Sequence, residues 1–128
     1  MEPKSEKKHA RFVVLFHEFP PDHDRTRHWD LMLEEDGKLL TWALSEPLQP
    51  ANTILATRLT DHRIEYLNYE GPVSGGRGSV SQVLTGTYQW QPASHHRSEI
   101  LNFESHRWKI EFQTDRESQL QIEVSQVV

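Results

Sequence analysis

The chain has 128 residues, a formal net charge of −5, eight histidines and no cysteine. This length fits one domain with its own hydrophobic core, and the lack of cysteine excludes disulfides and thiolate metal ligands. The acidic balance argues against a broadly basic nucleic-acid coat but is compatible with a local site. Because no apolar run reaches membrane-spanning length and residues 1–8 lack a signal-peptide core, we expect a soluble, cytoplasmic protein without a membrane partner.

The first segments along the chain are a tail, a strand and a loop. Residues 1–10 are charged and predict a flexible tail, which leaves residues 11–128 as a single domain. Arg11–His17 (RFVVLFH) is rich in β-branched and aromatic residues, a composition that predicts a buried strand. Glu18–Arg27 contains a Pro-Pro pair and several charges and therefore predicts a loop.

A β-hairpin is predicted in His28–Leu44 (HWDLMLEEDGKLLTWAL). Asp36 and Gly37 lie between two apolar runs, a pattern typical of a tight hairpin turn. Successive side chains of a strand point to opposite faces, so the first strand of the hairpin has a core face and an opposite face. The core face contains Trp29, Leu31 and Leu33, and the opposite face contains His28, Asp30, Met32 and Glu34.

The rest of the chain predicts short strands separated by turns. These strands are Thr53–Leu59, Arg63–Tyr69, two strands around Gly86 within Ser79–Trp90, Ile100–Phe103, Trp108–Phe112 and Leu120–Val124. No segment sustains a helical period over three turns. Such a chain is typical of an antiparallel barrel or sandwich, and we predict a compact antiparallel β-barrel with little helix.

Three side chains form a candidate metal site. His28 and Asp30 share one strand face, and His17 ends the preceding strand. Imidazole and carboxylate ligands suit manganese, zinc or iron, and the carboxylate favours harder ions such as manganese. Three protein ligands would leave coordination positions open, as a catalytic metal requires. The alternative is a set of idle polar residues on a half-exposed strand.

Four blocks of the sequence follow one another in a specific order. They are HWDLMLEEDGKLLTWAL at 28–44, DHRIEYLNYEGPVSGGRGSV at 61–80, GTYQW at 86–90 and LNFESHRWKIEF at 101–112. Together they resemble the 3'-phosphoesterase domain of bacterial DNA ligase D, and still more its small stand-alone members. The resemblance implies a β-barrel with a crescent-shaped groove that holds one divalent metal, usually Mn²⁺.

The resemblance also implies an activity in non-homologous end joining, a pathway of DNA repair. Such hydrolases process 3' ends: they remove a 3'-terminal ribonucleoside to leave a phosphate, and then remove that phosphate. The implied partners are nucleic-acid 3' ends and, in the cell, a DNA ligase or other end-joining proteins.

The resemblance assigns roles to individual residues. His17, His28 and Asp30 match the metal ligands, His62 matches a catalytic histidine at the scissile phosphate, and Tyr66 matches a tyrosine that holds the same group. If Arg63–Tyr69 continues as a strand, Tyr66 lies two strand repeats beyond His62 and shares its face.

Three positions depart from the ligase-attached form. Met32 and Ile54 stand where that form has arginines, and Thr60 stands where it has an acidic residue. Without those arginines a bidentate grip on phosphate is lost. We expect Arg77, in the glycine-rich segment SGGRGSV, to bind the substrate phosphate instead. Its alternative role is that of an ordinary exposed loop arginine.

The third metal ligand has an alternative. The interval from His17 to His28 is longer than in the family, and the additional loop contains His23. We favour His17, because a strand end holds a ligand more rigidly than a proline-rich loop.

Two other functional classes fit the same pattern. One is a catalytically weak or lapsed module that binds nucleic-acid ends and keeps the fold. The other is a cupin-like small-molecule metalloenzyme, which would require a closed apolar pocket.

Overall fold

The computed structural model describes residues 10–91, 97–115, 117 and 119–127. Within this part of the chain, the structure contains nine strands and one short 3₁₀ helix. The strands are β1 (Arg11–Glu18), β2 (His28–Glu35), β3 (Lys38–Leu44), β4 (Thr53–Arg63), β5 (Gly71–Pro72), β6 (Ser79–Gln91), β7 (Ser98–Phe103), β8 (His106–Thr114) and β9 (Leu120–Gln126). The 3₁₀ helix, Ile64–Leu67, follows β4 directly.

The strands form a closed antiparallel barrel, as predicted. Their order is β1-β2-β3-β4-β9-β8-β7-β6-β5, and β1 also pairs with β6. This pairing closes eight strands into a ring and leaves the two-residue β5 attached to β6 alone. No helix in the described ranges has the length and apolarity needed to cross a bilayer.

The hairpin prediction is confirmed in detail. Asp36 and Gly37 connect β2 to β3 with φ angles of 55° and 79°, so both residues are left-handed, as a two-residue type I' turn requires. The predicted tail lies outside the described residues except for Ala10. That residue is buried, and its carbonyl accepts a hydrogen bond from the backbone N–H of Tyr88.

Two strand predictions were wrong. Arg63–Tyr69 is not a strand, because the chain leaves β4 after Arg63 and winds into the 3₁₀ helix. Ser79–Trp90 is not two strands but one, since β6 runs through Gly86 without a turn. A Cβ at Gly86 would lie 2.1 Å from the carbonyl oxygen of Asn102, so this glycine permits a close strand approach and does not mark a turn.

The barrel wall separates two apolar clusters. The larger cluster fills the interior and includes Leu31 and Leu33 of the predicted core face. Trp29, which we also placed in the core, is only partly buried at its edge, against the ring of Phe16. The smaller cluster lies on the opposite face of β1 to β3, beneath the 3₁₀ helix. Its buried members are Val13, Leu15, Met32, Leu39, Leu67 and Val80.

Candidate metal and phosphate site

A groove of about 490 Å³ lies above the smaller cluster, on the face of β2 that the alternation assigned to polar residues. The segment between β4 and β6 borders it, and Leu15, Met32 and Val80 contribute apolar surface to its lining. All six residues predicted to form the site line this one groove: His17, His28, Asp30, His62, Tyr66 and Arg77.

The register of β1 and β2 brings the three predicted metal ligands together. His17 and His28 are directly opposite each other in this antiparallel pair, and Leu15 is opposite Asp30. Opposed residues have Cβ atoms roughly 5 Å apart and side chains on the same face. One ligand atom from each of His17, His28 and Asp30 therefore lies within 4.8 Å of the other two.

The ring nitrogens that face Asp30 can act as metal ligands because backbone carbonyls hold the opposite ring nitrogens. Nε2 of His17 donates a hydrogen bond to the carbonyl of Arg77 at 2.8 Å, and Nδ1 of His28 lies 3.3 Å from the carbonyl of Thr26. A proton fixed on these nitrogens leaves Nδ1 of His17 and Nε2 of His28 with lone pairs. These atoms lie 3.5 Å and 3.0 Å from the Asp30 carboxylate.

This donor set fits a divalent cation. Asp30 is only 3% exposed, and its Oδ1 makes no hydrogen bond within the described structure, although Nε2 of His28 is 3.0 Å away. Lone pairs and a carboxylate that converge in this way repel one another unless a proton or a cation lies between them. When a proton and not a cation lies there, burial still acts to raise the pKa of Asp30, but hydrogen bonds from the imidazoles of His17 and His28 outweigh it and hold the pKa below its ordinary value.

Phe19 is a part of the site that the sequence did not indicate. Its ring stacks on His17 with centroids 4.3 Å apart and lies 5.6 Å from the ring of His28, so it shields both imidazoles from solvent. His23, the alternative ligand, packs against the ring of Phe19 and accepts a hydrogen bond from the backbone N–H of Arg25. The structure therefore brings His17, and not His23, to Asp30.

His62 and Tyr66 meet across a bend in the chain. The register between β3 and β4 shifts between the pairs Leu39–His62 and Thr41–Leu59, which places an additional residue in β4 just before His62. Bulges of this kind redirect side chains. Nδ1 of His62 donates to the carbonyl of Thr60 at 2.9 Å, and the His62 ring lies edge-on to Tyr66 at 5.6 Å. Nε2 of His62 therefore remains available in the groove.

The arginines of the groove differ from the predicted set. Arg77 lines it, but its guanidinium donates to the carbonyl and hydroxyl oxygens of Ser74, and its own carbonyl holds His17. Arg25 and Arg58, which the sequence analysis did not select, also line the groove. The guanidinium of Arg58 lies 4.9 Å above the ring of Trp42 and donates to Asp61.

The three departures from the family pattern lie in different places. Ile54 is fully buried in the barrel interior, so a side chain at that position does not reach the groove. Met32 is buried beneath the groove, and Thr60 lines it. Arg58, four residues further along β4, lines the groove instead.

The outer groove of this closed β-barrel combines histidines, one buried carboxylate and arginines. Such a groove is suited to binding phosphate esters. The sequence profile of the DNA Ligase D 3'-phosphoesterase domain matches residues 21–122, and the chain belongs to this family.

Several curated proteins are similar to this chain. The multifunctional non-homologous end joining protein LigD of Mycobacterium bovis is 39% identical over 83 residues, which cover 60% of this chain and 10% of that protein. The protein of the same name from Pseudomonas aeruginosa is 37% identical over 65 residues, covering 48% of this chain and 8% of its own length. The alignments thus cover about a tenth of the length of these relatives.

Proposed function

We propose that the chain is a metal-dependent phosphoesterase that processes nucleic-acid 3' ends, removing a 3'-terminal ribonucleoside and then the 3'-phosphate. The observation that carries this proposal is the position of His62 in the same groove as the converging His17, His28 and Asp30. Family membership supplies the reaction class, and the names of the relatives, which refer to non-homologous end joining, support a role in DNA repair with a ligase as partner.

His17, His28 and Asp30 would hold the metal, for which we propose Mn²⁺ because one hard carboxylate accompanies two imidazoles. A bound divalent cation would neutralise charge on the phosphate oxygens and make the phosphorus more electrophilic. Around it, the backbone carbonyls of Thr26 and Arg77 keep both imidazoles in the ligating tautomer.

His62 and Tyr66 would act on the phosphate itself. The carbonyl of Thr60 fixes the Nδ1 proton of His62, so Nε2 faces the groove and, once protonated, can donate to a non-bridging oxygen or to the leaving oxygen. The Tyr66 hydroxyl adds a second donor beside it. Arg58 and Arg25 supply the positive charge that position 32 lacks, and this lining favours a phosphate substrate over the closed apolar pocket of the cupin-like alternative.

The activity is tested by incubating the protein with Mn²⁺ and labelled primers that end in one ribonucleotide or in a 3'-phosphate. We expect both ends to be trimmed, and we expect the His62→Ala variant to lose the reaction. His106→Ala is the matched control, because His106 is exposed and does not line the groove.

Two outcomes would contradict the proposal. Primers that remain intact after hours at high enzyme concentration, with Mn²⁺ bound, would exclude the activity. Tight binding of the same ends without cleavage would instead support the lapsed end-binding module.

A further inference from the structure

A second groove of about 880 Å³ continues from the first. The two grooves share three lining residues: Arg25, His28 and Arg58. From Arg58 the second groove follows β4 back to Leu55 and reaches Leu120 at the start of β9. A molecule whose end occupies the first groove can therefore extend into the second without leaving the surface.

The second groove has a charge opposite to that of the chain. The chain carries a formal net charge of −5, yet Arg25, Arg27 and Arg58 line this groove, and none of its lining residues in the described ranges is acidic. In the first groove, Asp30 is the single carboxylate among the lining residues of the described structure. A continuous surface of this kind attracts a polyanion.

Arg27 is the cation best placed to bind such a polyanion. It is exposed and makes no hydrogen bond or ion pair among the described residues, whereas Arg58 is held by Asp61 and Arg25 lies over the ring of Phe19. Leu55 is 46% exposed in the same groove and provides apolar surface for a base or sugar. A positively charged groove that follows the backbone is a common feature of proteins that bind single strands.

We infer that the second groove binds the single strand immediately 5' of the reacting 3' end, with Arg27 on a backbone phosphate and Leu55 against a base or sugar. This inference rests on the proposed function, because it takes the first groove as the site of the 3' terminus. Leu55 is three residues from Arg58, or roughly 10 Å along β4. At about 3.4 Å per stacked nucleotide, the second groove accommodates about three nucleotides.

The test measures binding separately from cleavage. Fluorescein-labelled DNA strands of two to twelve nucleotides that end in a 3'-hydroxyl are titrated with the wild-type protein and followed by anisotropy. Affinity is expected to rise with length and to level off near four nucleotides, the terminal one plus about three in the second groove.

The Arg27→Ala variant is then compared with wild type. Loss of one phosphate contact lowers the slope of log K against log salt by about 0.7 for a single strand, so Kd should rise about fivefold at 0.1 M salt. Arg107→Ala is the matched control, since Arg107 is exposed and lines neither groove. Leu55→Glu, which places a negative charge in the groove, should weaken binding further.

The results separate this inference from the proposed activity. If Arg27→Ala and Leu55→Glu bind long strands as tightly as Arg107→Ala does, the inference is wrong, even where the wild type cleaves 3' ends. If both variants lose length-dependent binding but the wild type cleaves no 3' end, the second groove binds a strand as inferred and the proposed activity is wrong. Tighter binding of a blunt duplex than of a single strand would also overturn the inference.

Discussion

The substitution Gly78→Ala tests whether the backbone of the loop before β6 controls the metal ligands. Gly78 has a φ of +81°, and a Cβ there would lie 1.7 Å from the carbonyl oxygen of Glu18. Left-handed backbone costs an alanine about 1–2 kcal/mol. Restoring an ordinary contact distance also requires the loop to move by about 1.5 Å. A shift of that size breaks the 2.8 Å hydrogen bond from His17 to the carbonyl of the adjacent Arg77.

We therefore expect Gly78→Ala to weaken Mn²⁺ binding about 10- to 100-fold, the usual effect of losing a group that orients a metal ligand. Isothermal titration calorimetry measures this change. Gly76→Ala is the matched control, because Gly76 has a φ of +68° but a Cβ there would meet nothing within 4 Å. The control should lose stability through strain alone and keep its metal affinity. Equal affinities for the two variants would refute the argument.

Three further substitutions have expected outcomes of different kinds. Asp30→Asn should reduce Mn²⁺ affinity more than about 100-fold, since it removes the ligand charge; an unchanged metal content by elemental analysis would exclude Asp30 as a ligand. Trp29→Ala should lower the free energy of unfolding by about 1–3 kcal/mol in urea, less than the 3–5 kcal/mol of a fully buried aromatic, because Trp29 is only partly buried. Arg11→Ala should cost about 0.5–1 kcal/mol at pH 7, since Arg11 makes an exposed bidentate pair with Glu34. The hydrogen bond from Arg11 holds the pKa of Glu34 below its ordinary value, so this stabilisation is present above about pH 4.3 and is lost as the pH falls through the lower folded pKa. Urea unfolding should therefore show a smaller difference in stability between the two proteins at pH 3 than at pH 7.

The part of the site that lies on regular strands could be predicted from the sequence. Alternation along β2 placed His28 and Asp30 on the face opposite Leu31 and Leu33, and the structure confirms this division. The Asp36-Gly37 turn fixed the register of the hairpin. These features depend on a period of two and on turn chemistry, which are local properties of the sequence.

The segment after β4 could not be predicted in the same way. RIEYLNY alternates like a strand, yet it forms a 3₁₀ helix that covers the smaller apolar cluster through Leu67. Tyr66 still lies beside His62, as predicted. The reason is that the chain turns after β4, and not that the two residues share a strand face. The bulge just before His62 likewise arises from pairing with β3 and has no marker in the sequence of β4.

The hydrogen bonds that orient His62 and His17 explain why substitutions at positions 60 and 77 need not remove the site. Thr60 and Arg77 hold His62 and His17 through backbone carbonyls, which every residue type provides. The absence of an acidic side chain at position 60 therefore leaves the tautomer of His62 unchanged. The reverse holds for Gly78, which makes no contact through a side chain, and yet a Cβ at this position would push the Arg77 carbonyl out of place. A comparison of side chains alone would single out Thr60 and Arg77 as determinants of the site, whereas the geometry singles out Gly78, the glycine that follows Arg77.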